Sequence, residues 1–215
     1  MKKAKITAVI IMAGLLLYGC KGGSSTFPPE QSAIYVNRSG EIYTALVGTY
    51  DSSKDYYDSA EFKAMAEKEA ADYNAEHPTG QNNGDNSSKA VSLTECSLEN
   101  GTVKVVYQFL TGDDLCRFTE GTQDNSNHVE SLGISTVAEG LADANLAGGT
   151  WIDVKKNTTI DAGEIMKQSK LRLVSVNGAA SIQTEGKILY YSGNLNLKDE
   201  FTAEVTDGNA YLVFK

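Results

Sequence analysis

Asn100-Gly101 sits between two runs of alternating apolar residues, Ala90 to Leu98 and Thr102 to Leu110. A two-residue turn of this type needs two positive φ angles, which Asn and Gly adopt most readily, so the pair is the strongest short hairpin signal. It fixes a register in which Glu99 faces Thr102 and Cys96 faces Val105. Similar punctuation recurs near the C-terminal end, at Asn177-Gly178, Glu185-Gly186, Gly193-Asn194 and Asp207-Gly208. Short alternating runs between such turns predict a meander of strands over residues 170–214.

Three helices are predicted from their start signals. Asp58 caps the first, with Glu61 three residues on and a Tyr57–Phe62 staple. Phe62, Met65, Ala66, Ala70 and Tyr73 then share one face, and Pro78 stops the helix near Glu76 or His77. Thr111, Asp114 and a Leu110–Leu115 staple start the second, which buries Leu115 and Phe118 and ends at Gly121. Asp161, Glu164 and an Ile160–Ile165 staple start a third, short one. Strands are expected at 34–36, 41–50, 131–137 and 151–154. The expected class is therefore α+β. Residues 33–121 read as a ββαββα unit with its helices on one face of an antiparallel sheet, and 131–215 as a β-rich meander.

The first 20 residues have a separate grammar. Met1-Lys2-Lys3-Ala4-Lys5 is basic, Ile6 to Leu17 is apolar, and Leu17-Tyr18-Gly19-Cys20 follows. The apolar run is shorter than the roughly 20 residues of a membrane span, and its length and basic flank suit a signal peptide over 1–19. The layout resembles the lipobox of bacterial lipoproteins, in which the cysteine becomes the lipidated first residue. That resemblance implies an extracytoplasmic domain held to the cell membrane through lipidated Cys20, with residues 20–32 as a flexible tether. Ser39-Gly40-Glu41-Ile42-Tyr43 leading to Tyr56-Tyr57-Asp58, and Ile182 to Tyr191, are similar to uncharacterised small lipoproteins of gut clostridia. This second likeness implies no particular chemistry.

Charge narrows the partners. The whole chain carries −9, and loss of residues 1–19 removes three lysines and no acid, leaving 16 Lys+Arg against 28 Asp+Glu, or −12. Such a surface does not gather phosphates, so no nucleic-acid partner is expected. Cys96 and Cys116 remain after Cys20. Outside the cytoplasm an even pair permits a disulfide, and two buried free thiols are the alternative.

No catalytic constellation stands out. His77 and His128 lie in polar loops, Gly-x-Ser-x-Gly and phosphate-binding glycine loops are absent, and no Cys or His pair has zinc spacing. Asp124, Ser126, His128 and Glu130 alternate as in a calcium loop, but Val129 stands where that loop needs glycine. No cofactor or metal is expected. Tyr56, Tyr57, Tyr190 and Tyr191 are the candidate ligand-facing aromatics, since neighbours in a strand point to opposite faces. The expected role is a binding or scaffolding module for an envelope protein or glycan. An accessory subunit of an envelope complex is the alternative, and a carboxylate-dependent glycan-acting enzyme a more distant one.

Overall fold

Asn100 and Gly101 do take positive φ, at 53° and 78°, and close a hairpin of β3 (Val91–Glu99) and β4 (Thr102–Phe109). Glu99 faces Thr102 and Cys96 faces Val105, as the turn predicts. The computed structural model describes residues 24–51, 58–79, 89–122, 124, 126–141 and 150–215. Residues 1–19, Cys20, Tyr56 and Tyr57 lie outside these, as does the Tyr57 half of the first staple.

Before the hairpin come β1 (Ala33–Val36), β2 (Ile42–Thr49) and α1 (Ser59–Glu76); after it come α2 (Gly112–Thr122), β5 (Ser131–Thr136) and the short helix α3 (Val137–Gly140). Then follow β6 (Trp151–Asp153), β7 (Thr158–Ile160), α4 (Ala162–Met166), β8 (Arg172–Asn177), β9 (Ala180–Thr184), β10 (Ile188–Leu197) and β11 (Thr202–Phe214). The fold is α+β and strand-rich, with one mixed 11-stranded sheet in the order β3-β4-β2-β1-β9-β11-β10-β6-β7, and β8 and β5 branching from β11. β1 and β9 run parallel, and this pairing joins the N-terminal and C-terminal stretches in a single sheet.

The helix caps follow the sequence closely. Asp58 accepts from the amides of Ala60 and Glu61, at 2.7 and 3.0 Å. Thr111 accepts from Asp114 N, and Asp161 from Gly163 N. α1 buries Ala66, Ala70 and Tyr73, but Met65 is 59% exposed, contrary to its expected inward position. Leu110 is also exposed, so only the Leu115 end of its expected staple is buried. β7 is an addition to the predicted elements, and α3 stands at the start of the stretch 138–147, for which the sequence left a short helical turn open. A Thr136–Glu139 capping box starts α3, and Asn157 at φ 52° closes the β6–β7 turn.

The C-terminal meander is corrected. β8 and β9 do not pair across Asn177-Gly178, nor β9 and β10 across Glu185-Gly186. β8 instead lies against Asn209–Phe214 of β11, and β9 against Thr202–Val205. Gly193-Asn194 and Asp207-Gly208 are not hairpin turns either. They form matched irregularities within one long β10–β11 hairpin, whose register jumps from Gly193↔Ala210 to Leu195↔Val205. Gly193 has φ +92°, and a Cβ there would stand 2.3 Å from Asn209 O, so the site requires glycine in both conformation and space. The true reversal lies at 198–201, where Asp199 accepts from the amides of Phe201 and Thr202.

The expected tether is corrected over residues 24–32. Ser25 N donates to Glu185 O at 2.9 Å, Ser25 Oγ to Thr184 O, and Gln183 Nε2 to Thr26 O. Phe27 packs on the rings of Tyr35 and Tyr43, at centroid distances of 4.8 and 4.9 Å. Ser32 exchanges hydrogen bonds with the backbone of Val47. The Ser, Thr and Pro content suggests a linker, but Phe27 and buried Pro29 give the segment apolar surface to pack.

The larger core cluster includes Ile34, Val36, Tyr107, Phe118, Val174, Ile182, Leu212 and Phe214, drawing on both halves of the chain. A smaller one lies around Trp151, with Val137, Leu141, Ala162, Ile165, Leu173 and Val213. Alternate residues of β8 and β11 thus feed different clusters, so both faces of that part of the sheet are covered.

Candidate functional site

An apolar concavity lies between α1, β2, β4 and the end of α2. α1 contributes Phe62, Met65, Ala66 and Glu69, spaced three and four apart along one side. Cross-strand pairing sets Thr44 beside Tyr107 and Leu46 beside Val105. Phe118 closes the inner end, and Asp124 and Ser126 stand at the rim. The cleft holds about 340 Å³, within the usual range of small-ligand sites. Leu46 and Met65, at 41% and 59% exposure, present large apolar side chains to solvent at its mouth.

Tyr107 is the polar group at its base. Its hydroxyl donates to Glu69 Oε2 at 2.9 Å and lies 3.2 Å from Ala66 O. Burial, then the Glu69 charge and hydrogen bond, push its pKa far above the ordinary phenol value. The ring meets Phe118 edge-on at 4.8 Å. This network makes the floor rigid while leaving the mouth apolar.

The rim residue Asp124 belongs to a structural turn. Its carboxylate accepts from Ser126 N, Asn127 N and Asn127 Nδ2. Asn127 is fully buried, and its Nδ2 also donates to Ala45 O at 3.1 Å. The alternation of Asp124, Ser126, His128 and Glu130 is therefore an Asx-type turn that docks the loop onto β2. Among the described residues, no three His, Cys, Asp or Glu side chains gather as metal ligands.

A second groove of about 650 Å³ runs between α1 and the open edge of β3, lined by Lys63, Glu67, Asn74 and residues 91–96. Asn74 clamps that edge, donating to Val91 O and accepting from Val91 N. Cys96 lines this groove. Cys116 lines a different hollow of about 330 Å³, beside His128 and Glu130. Both cysteines are free thiols, the second of the two alternatives left by the sequence. Burial raises both thiol pKa values, with Asp113 adding to the effect on Cys116. A nucleophilic thiolate needs the opposite shift, so the nearness of His128 does not make Cys116 a nucleophile. No local sequence signal brought these two together, since α2 and a loop separate them.

The aromatic candidates divide. Tyr190 packs against the Trp151 cluster and Tyr191 against the larger core, so they do point to opposite faces, but each is half-buried against a core. His77 is the C-cap of α1, with its ring stacked on Tyr73 at 4.1 Å. Two carboxyl groups have pKa values held low, Glu139 by bonds from Thr136 and Asp153 by the Lys156 amide. Both serve turns or caps.

No helix among the described residues is long and apolar enough to cross a membrane. No family model matches this chain, and no curated protein and no solved structure matches it.

Proposed function

We propose that the chain is a membrane-anchored extracytoplasmic lipoprotein that acts as a binding module, tethered through lipidated Cys20. Residues 33–121 serve as a ββαββα platform, with ligand taken between its helices and its sheet. The basic start, apolar run and Cys20 support the anchor. The observation that carries the binding role is the cleft with Leu46 and Met65 exposed at its mouth, because solvent-facing apolar side chains around a concavity mark recognition sites. The same pair suits an accessory subunit of an envelope complex, in which a partner's apolar side chain fills the cleft. A carboxylate-dependent enzyme has less support, since the perturbed carboxyl groups are held ionised by caps.

In-cell crosslinking of wild type and Met65→Glu separates these readings. Both residue types are tolerated at an exposed helix position. Reproducible capture of one envelope protein by wild type, lost in Met65→Glu, supports the accessory subunit. A small-molecule or glycan ligand recovered with wild type and lost in the variant supports the binding module. Identical behaviour of the two proteins contradicts the cleft as the site.

A further inference from the structure

The segment nearest the anchor is itself docked, and that gives the domain an orientation. Cys20 and Ser25 are five residues apart. An extended chain spans at most about 3.5 Å per residue, so Ser25 lies within roughly 18 Å of the Cys20 Cα. Ser25 is held to Thr184 and Glu185 at the end of β9, and Glu185 N bonds Val36 O at the end of β1. The end of the sheet at Val36 and Ile42 is thus membrane-proximal. β2 has 8 residues, and at about 3.4 Å each its Thr49 end, with the Asn100-Gly101 turn, lies roughly 24 Å further away.

Two features of the proximal end suit a bilayer interface. Phe27 packs against Tyr35 at a tilt and against Tyr43 edge-on yet remains 45% exposed, giving an aromatic face with polar edges at Tyr43 and Ser25. Arg38 borders it, and its Nε donates to Lys215 O at 3.2 Å. Arg172 Nε donates to Arg38 O, and the backbone of Lys215 bonds that of Lys187. Four cations are thereby linked at one end of a chain that is acidic overall. Glu185 and Glu200 are paired with Arg38 and Lys187, Glu139 interacts with Arg172, and Glu41 accepts from the Tyr43 hydroxyl beside the aromatic face. Aromatic rings with polar neighbours and long cationic side chains are the groups that partition to the headgroup region.

We propose that the Phe27 face, bordered by Arg38, lies in the bilayer interface and fixes the standing orientation of the domain, with the β3–β4 turn pointing away. This rests on lipidation of Cys20. The lipid supplies the affinity, and the Phe27 face supplies the orientation.

The test uses full-length protein purified with its lipid and reconstituted into phosphatidylcholine–phosphatidylglycerol vesicles with brominated acyl chains. Phe27→Trp should lose fluorescence to bromines placed near the headgroup, beyond the loss shown by wild type through Trp151. Glu99→Trp at the far turn should show no added loss. Absence of added quenching at position 27 in protein that floats with the vesicles overturns the orientation and leaves the anchor standing. Protein that does not float, behaving as its Cys20→Ser counterpart does, overturns both. Hydrogen exchange on the unsubstituted protein gives an independent reading. Residues 24–43 should gain protection on vesicles and residues 95–105 should not; the reverse pattern overturns the proposal.

Discussion

A Cβ built on Gly112 would stand 1.9 Å from Leu132 O, so α2 meets β5 at a contact that admits only glycine. Gly112→Ala should cost about 3 kcal/mol through forced separation of backbone from backbone, read as a lower urea midpoint with unchanged slope. Tyr107 and Tyr73 carry a different kind of prediction. Both pKa values are raised, Tyr73 to about 12 and Tyr107 further, with burial the first cause in each and the neighbouring Asp114 or Glu69 next. A folded pKa above the unfolded one means that the stabilisation is complete below the unfolded value of about 10 and is lost as pH rises toward 12. The urea midpoint should therefore hold steady through neutral pH and fall across that alkaline window. Tyr107→Phe should lose about 1 kcal/mol at neutral pH and show a shallower alkaline fall. An equally steep fall in the variant would mean that Tyr107 does not titrate in this way. The capping residues Asp58, Thr111 and Asp161 were legible in the sequence because a cap is decided within four residues. Met65 was not, since helical spacing places it on the same side as Phe62 and Ala66 but does not say that it stands at the open mouth of the cleft.

At the scale of elements, glycine turns proved ambiguous for a physical reason. A positive φ serves a hairpin reversal and a β-bulge equally, and only long-range pairing decides between them. Asn100-Gly101 has two complementary alternating runs of matched length, so its local signal is sufficient. Gly193-Asn194 and Asp207-Gly208 have short runs on each side, and both are taken up by one long hairpin that hands β11 from β9 to β8. Gly193→Ala should be destabilising by about 2 kcal/mol, combining the positive φ with the Asn209 O contact. The candidate cleft was legible only in part. Phe62, Ala66 and Phe118 are readable as inward residues, while Leu46 and Val105 meet them through a sheet order that no local pattern encodes.

For the whole molecule, pairing of β1 with β9 and a core shared by both halves predict cooperative unfolding. Trp151 reports on the C-terminal cluster, and far-ultraviolet dichroism on all the secondary structure. The two urea transitions should coincide, whereas separate midpoints would show the halves to be independent units. The strap at 24–32 adds a functional consequence, because it leaves only a few residues between the fold and Cys20. The measurement that bears most directly on the proposed lipid anchor is the distribution of wild type and Cys20→Ser between membrane and soluble fractions of the cell. Wild type should sediment with membrane and resist salt extraction, and Cys20→Ser should be released. A Cys20→Ser protein that stays with the membrane at the wild-type level would contradict the lipid anchor.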